Sequence, residues 1–127
     1  MKALLDTHAF IWWLKDDPNL SPSARQRIID PETEVFVSAA TVWEISTKIR
    51  LGKLDPTPFR DGIETEIHAE NFTAISVTPT HAEKAGYLDH KHKDPFDRML
   101  IAQALVEGLV IISNETLFDQ FGVPRLW

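Results

Sequence analysis

Four acids far apart in the chain carry its strongest chemical signal: Asp6, Glu44, Asp97 and Glu115. Asp6 closes the aliphatic run KALL, where a buried strand should end and a carboxylate is otherwise out of place. Glu115 follows the apolar LVIIS by two positions, and Glu44 falls in the first turns after EVFVSA. Asp97 stands near the start of a helix, where the positive end of the helix dipole favours an anion. The chain has no Cys, and no His pattern accompanies the acids. An all-oxygen donor set selects a hard cation, Mg2+ or Mn2+. Clustered carboxylates also repel one another unless a cation sits between them. The chemistry best matched to such a site is phosphodiester hydrolysis, in which one or two metals activate water and stabilise charge on the phosphate.

Each acid also has a local explanation. Asp97 can simply favour its helix N-terminus, and Glu115 can be a first-turn acid. Glu44 can pair with Lys48 one helical turn on. Asp6 is hardest to explain locally, and only the constellation lifts the metal reading above these alternatives.

The elements that must position the acids follow from hydrophobic periodicity and from caps. Strands are expected at 2–5, 35–37, 73–77 and in LVIIS, with VPRLW as a terminal edge strand because Pro124 suits only an edge. Helices are expected over 9–14 with Thr7 as N-cap, and from Ser21 and Pro22 to just before Pro31. The next helix, TVWEISTKIRLGKL, places Val42, Ile45, Ile49 and Leu51 near one face and stops at Gly52. After a turn at Pro56 and Pro58, further helices are expected over 59–70, from about 80 to 88, in PFDRMLIAQALVEG and in ETLFDQFG. Strands alternating with helices predict an α/β sandwich around a mainly parallel sheet. In such sheets ligands bind outside the carboxyl ends of the strands, and all four acids fall at that end.

At 127 residues the chain suits one domain spanning 1–127. Nineteen acids against 13 Lys plus Arg, a net charge of −6, argue against a broad basic surface for nucleic acid. They do not argue against a metal-dependent nuclease, which concentrates carboxylates in its site. No apolar stretch approaches the roughly 20 residues of a membrane span, and no secretory leader is evident. No membrane association and a cytoplasmic location are the resulting expectations.

The segments LLDTHAFIWWL, SAATVWEISTKIRLGKL, KDPFDRMLIAQAL and LVIISNETLF, in this order and spacing, resemble the PIN-domain ribonucleases, specifically the VapC-type toxins of toxin-antitoxin modules. The resemblance spans nearly the whole chain. It implies a PIN-like three-layer α/β/α sandwich and a Mg2+- or Mn2+-dependent endoribonuclease, partnered by RNA and a cognate antitoxin and forming a homodimer. The acids of the family motif fall on Asp6, Glu44 and Asp97, and the fourth, most often Asp, falls on Glu115. Its longer side chain puts a direct metal contact in doubt. Asp94 competes with Asp97 for the third role. Thr7 and Ser113 match small hydroxyl positions beside the first and last acids, while Lys48 and Arg98 are candidate contacts to substrate phosphates.

Other readings lose their motif at one residue. An amidohydrolase or TatD-like deoxyribonuclease needs His-x-His, where this chain has Phe10, and a haloacid-dehalogenase-type phosphatase needs Asp-x-Asp, where it has His8. A catalytically weak binding module that keeps the fold is the alternative from a different class. His90, Lys91, His92 and Lys93 read as a solvated loop or a small phosphate-contacting patch. Trp12, Trp13 and Trp43 are more than one small region can bury fully, which suits protein–protein contact.

Overall fold

The computed structural model describes residues 1–127. Five strands, β1 (Lys2–Leu5), β2 (Glu34–Ser38), β3 (Thr73–Ile75), β4 (Val110–Ile112) and β5 (Arg125–Leu126), form one sheet in the order β3-β2-β1-β4-β5. Every pairing is parallel. The sheet grows from β1 towards β3 and then returns to the other side of β1. The order therefore reverses between β1 and β4, where α/β sheets open a crevice at their carboxyl ends. β5 is the edge strand that Pro124 led us to expect.

The two-residue period of the strands divides the core. Ala3, Leu5, Val35, Val37 and Ile112 point to one face, whereas Leu4 and Ile111 point to the other. The first face is covered by α1 (Thr7–Leu14), α2 (Pro22–Ile29), α3 (Ala39–Arg50) and α4 (Ile63–Ala69), which contribute Phe10, Ile28, Ile45 and Ile67. The second is covered by α6 (Pro95–Glu107), which supplies Leu100, Ile101 and Ala104, and by Phe118. α5 (Pro79–Tyr87) packs beside α6: its buried His81 accepts from the Thr78 N–H through Nδ1, and His81 Nε2 lies 2.8 Å from Glu107 Oε1.

Several boundaries differ from the sequence expectations. α1 begins at Thr7, and its N-cap is Asp6, whose Oδ1 accepts the Ala9 N–H at 2.8 Å. Thr7 is thereby freed for another contact. The helix expected over 59–70 splits into a 3-10 turn, Thr57–Phe59, and α4, because Gly62 at φ +102° breaks the helical path. β3 stops at Ile75, and the last helix is a 3-10 segment, Thr116–Phe121. Leu51 lies beyond the end of α3 and is exposed, so it does not join the apolar face with Ile45.

Candidate functional site

The site is built at the carboxyl ends of β1 and β4, where the strand order reverses. The Asp6 N–H donates to Ile112 O, extending the β1–β4 ladder by one residue, and chain direction then changes as α1 starts. The Asp6 carboxylate is buried at 5 % exposure. Oδ1 accepts the Ala9 N–H and Oδ2 accepts the Ser113 hydroxyl at 2.5 Å. Both partners are neutral. Burial consequently pushes the Asp6 carboxyl up to about 6, against the two hydrogen bonds and nearby His8, which lower it, and with the help of Asp97, which raises it.

Glu44 enters from α3, also at 5 % exposure. Thr7 Oγ1 donates to Glu44 Oε1 at 2.6 Å and lies 3.3 Å from Thr41 Oγ1, while the Lys48 ammonium donates to Oε2 at 2.5 Å. The i,i+4 pair with Lys48 and the buried site position are thus both present at Glu44. Asp97 enters from the first turn of α6 and is half-buried. Burial raises its carboxyl above the usual range, Asp94 and Glu44 add to this by repulsion, and His92, whose Nε2 lies 3.0 Å from Oδ2, opposes it.

The structure therefore brings Asp6, Glu44 and Asp97 into one electrostatic neighbourhood, and it treats the remaining candidates differently. Asp94 is the N-cap of α6, with Oδ1 accepting the Phe96 and Asp97 N–H groups. Glu115 is exposed and makes no side-chain cap to the segment it precedes. Its backbone N–H donates to Ser113 Oγ, which orients that hydroxyl towards Asp6. Arg98, a candidate phosphate contact, has its guanidinium turned onto backbone carbonyls of 85–92. Two residues escaped the sequence reading: Thr41, whose position one turn before Glu44 was a usable signal, and His92 as the partner of Asp97, which needed the loop conformation.

No three His, Asp or Glu side chains stand as a ready-made metal cage. The donor set nevertheless fits a hard cation. Three acids act on one another here, Asp6 has neutral hydrogen-bond partners and no ion pair, and the Lys48 ammonium is committed to Glu44.

The family model for the PIN domain matches residues 3–124. The chain belongs to the PIN-domain family. Solved structures of the same fold include VapBC2 from Rickettsia felis bound to a promoter DNA fragment, at 12 % identity and a TM-score of 0.75, covering 99 % of this chain and 98 % of that one. DNA-bound VapBC from Salmonella typhimurium is similar at 20 % identity and a TM-score of 0.71, with 99 % and 97 % covered. FitAcB from Neisseria gonorrhoeae is similar at 18 % identity and a TM-score of 0.62, with 98 % and 96 % covered. A search of the curated proteins gave no match. At these identities the PIN likeness shows a shared fold, and chemistry rests on the chain's own residues.

Proposed function

We propose that this PIN-domain chain is a divalent-metal-dependent endoribonuclease, the toxin of a toxin-antitoxin pair. The observation that carries the reading is Asp6, a buried carboxylate held only by neutral hydrogen-bond donors at the sheet's switch point, with the acids Glu44 and Asp97 acting in the same neighbourhood. Asp6, Glu44 and Asp97 would hold Mg2+ or Mn2+, which when bound supplies water activation and charge stabilisation on the phosphate. The chain's own residues prepare that arrangement. Ser113 and the α1 N-terminus fix the two oxygens of Asp6, Thr7 and Lys48 fix those of Glu44, and His92 fixes Asp97. Exposed Lys91 and Lys93, close in sequence to Asp97, and Arg50 and Lys53 beyond Glu44 give the RNA backbone cationic contacts on an otherwise acidic chain.

The test is cleavage of unpaired and structured RNAs by the purified, antitoxin-free chain. Cutting with Mg2+ or Mn2+ that stops in EDTA and returns on adding Mn2+ supports the reading, and metal-independent cutting or none across RNA classes contradicts it. Ser113→Ala should retain the fold and weaken Mn2+ binding about 10- to 100-fold, because the group that orients a metal-binding carboxylate is lost. Calorimetric titration checks this.

A cognate antitoxin fits both the net charge of −6, which favours a basic segment, and the neighbouring structures, several of which are toxin–antitoxin complexes. We assign a second copy of the chain to the exposed side of α3 and α6. There Ala39, Ala40, Trp43, Val77, Phe96 and Met99 line an apolar cleft of about 250 Å3, and Trp43 is 63 % exposed with its ring edge-on to Phe96 at 5.0 Å. Trp43→Lys should halve the mass seen in sedimentation, whereas an unchanged mass removes this face from the dimer.

A further inference from the structure

Arg98 follows Asp97 directly in α6, yet none of its N–H groups is left for substrate. Nε and Nη2 donate to Ala85 O at 3.1 and 2.8 Å, and Nη2 also donates to Leu88 O at 2.7 Å. Nη1 donates to His90 O at 3.0 Å and to His92 O at 3.1 Å. A guanidinium carries five donors in a rigid fork, so all are committed. The acceptors come from the end of α5 and from the connection 88–94, which has no helix or strand to satisfy its carbonyls. A lysine in this place has three donors and no fork, and cannot gather the same four carbonyls.

What the gathered connection delivers is His92. Its backbone N–H donates to His90 Nδ1 at 3.1 Å, and His90 Nε2 lies 2.7 Å from Gln120 Oε1, so the middle of the connection is tied to the 116–121 segment as well. His92 Nε2 then meets Asp97 Oδ2. The other charged groups that act on Asp97 are the acids Asp94, Glu44 and Asp6, which repel it. The rotamer of Asp97 therefore depends on His92, and the place of His92 depends on Arg98.

We propose that Arg98 is a positioning residue which, through the connection 88–94 and His92, holds Asp97 ready for the divalent cation. The inference rests on reading Asp97 as a metal ligand. A carboxylate already fixed loses less freedom when the cation arrives, which is how partners of metal-binding side chains raise affinity.

The experiment is calorimetric titration of Mn2+ into the metal-free chain, paired with RNA cleavage kinetics, for wild type, Arg98→Lys, His92→Ala and the double variant. Each single change should weaken Mn2+ binding about 10-fold. The double variant should be no weaker than Arg98→Lys alone, because both residues act through one contact. In cleavage, kcat should fall with KM for RNA unchanged, and excess Mn2+ should restore part of the loss. Losses that multiply in the double variant overturn the proposal, as does a raised KM with unaltered Mn2+ binding, which would make Arg98 an RNA contact. If Arg98→Lys does not fold, His92→Ala decides alone: unaltered Mn2+ affinity overturns the proposal. A wild type that binds Mn2+ but cuts no RNA removes the ribonuclease reading and leaves this comparison valid, whereas a wild type that binds no Mn2+ removes both.

Discussion

Asp6→Asn is expected to lower RNA cleavage by about 10^3-fold or more and, in the same protein, to make the metal-free fold more stable. The activity loss follows from removing a buried anionic oxygen from the proposed cation's ligands, an interaction worth several kcal/mol in the transition state. The gain in stability follows from burial. The Asp6 carboxyl is pushed to about 6 from 3.8, so the folded chain binds the proton more tightly than the unfolded chain. Stability from this group is therefore full below the unfolded value and is lost as pH rises from about 4 to about 6. At neutral pH the ionised carboxylate costs up to about 3 kcal/mol, and Asn keeps the acceptor for the Ala9 N–H without the charge. Thermal unfolding in EDTA at pH 7 should thus show Asp6→Asn above wild type by about 1–3 kcal/mol. Between pH 4 and 6 the wild type should lose stability that the variant does not. A destabilised Asp6→Asn would mean that Asp6 serves the fold and not a cation.

Phe10→Ala should cost about 3–5 kcal/mol of stability, a large part of a margin of about 5–15 kcal/mol for a domain this size. Phe10 is fully buried on α1, with its ring 6.3 Å from Phe59 and 6.5 Å from Phe72. These rings join α1 to the segments flanking α4 and stack the first layer on the sheet. α1 also carries the N–H that holds Asp6, so loosening it should reduce cleavage in proportion to the folded fraction, with KM unchanged. Urea unfolding checks the magnitude, and a loss under 1 kcal/mol would show that the two neighbouring rings close the gap.

Much of the scaffold was legible because its signals are local. The runs KALL and LVIIS, the Ser21–Pro22 start and the apolar length of α6 each report their own element. Boundaries failed where one residue serves two purposes or a backbone angle intervenes. Asp6 both ends a strand and caps α1, which displaced Thr7 from the expected cap, and Gly62 broke a helix whose apolar spacing continues through it. The candidate site was legible as residue types and as one end of the sheet. Its wiring was not, because the Ser113–Asp6 and Thr7–Glu44 hydrogen bonds join residues 107 and 37 positions apart. Glu115 matched the strand-end pattern as Asp6 does, but the turn after Ser113 leaves it exposed, a consequence of backbone direction that spacing does not encode.

The central claim is that Asp6, Glu44 and Asp97 gather one divalent cation. Its most direct test is anomalous scattering from crystals of the chain grown with Mn2+. The account predicts a Mn2+ peak in the crevice between β1 and β4, with carboxylate oxygens of Asp6 and Asp97 at about 2.0–2.2 Å and Glu44 beside it directly or through water. No peak at millimolar Mn2+, or a peak held by residues outside this crevice, would contradict it.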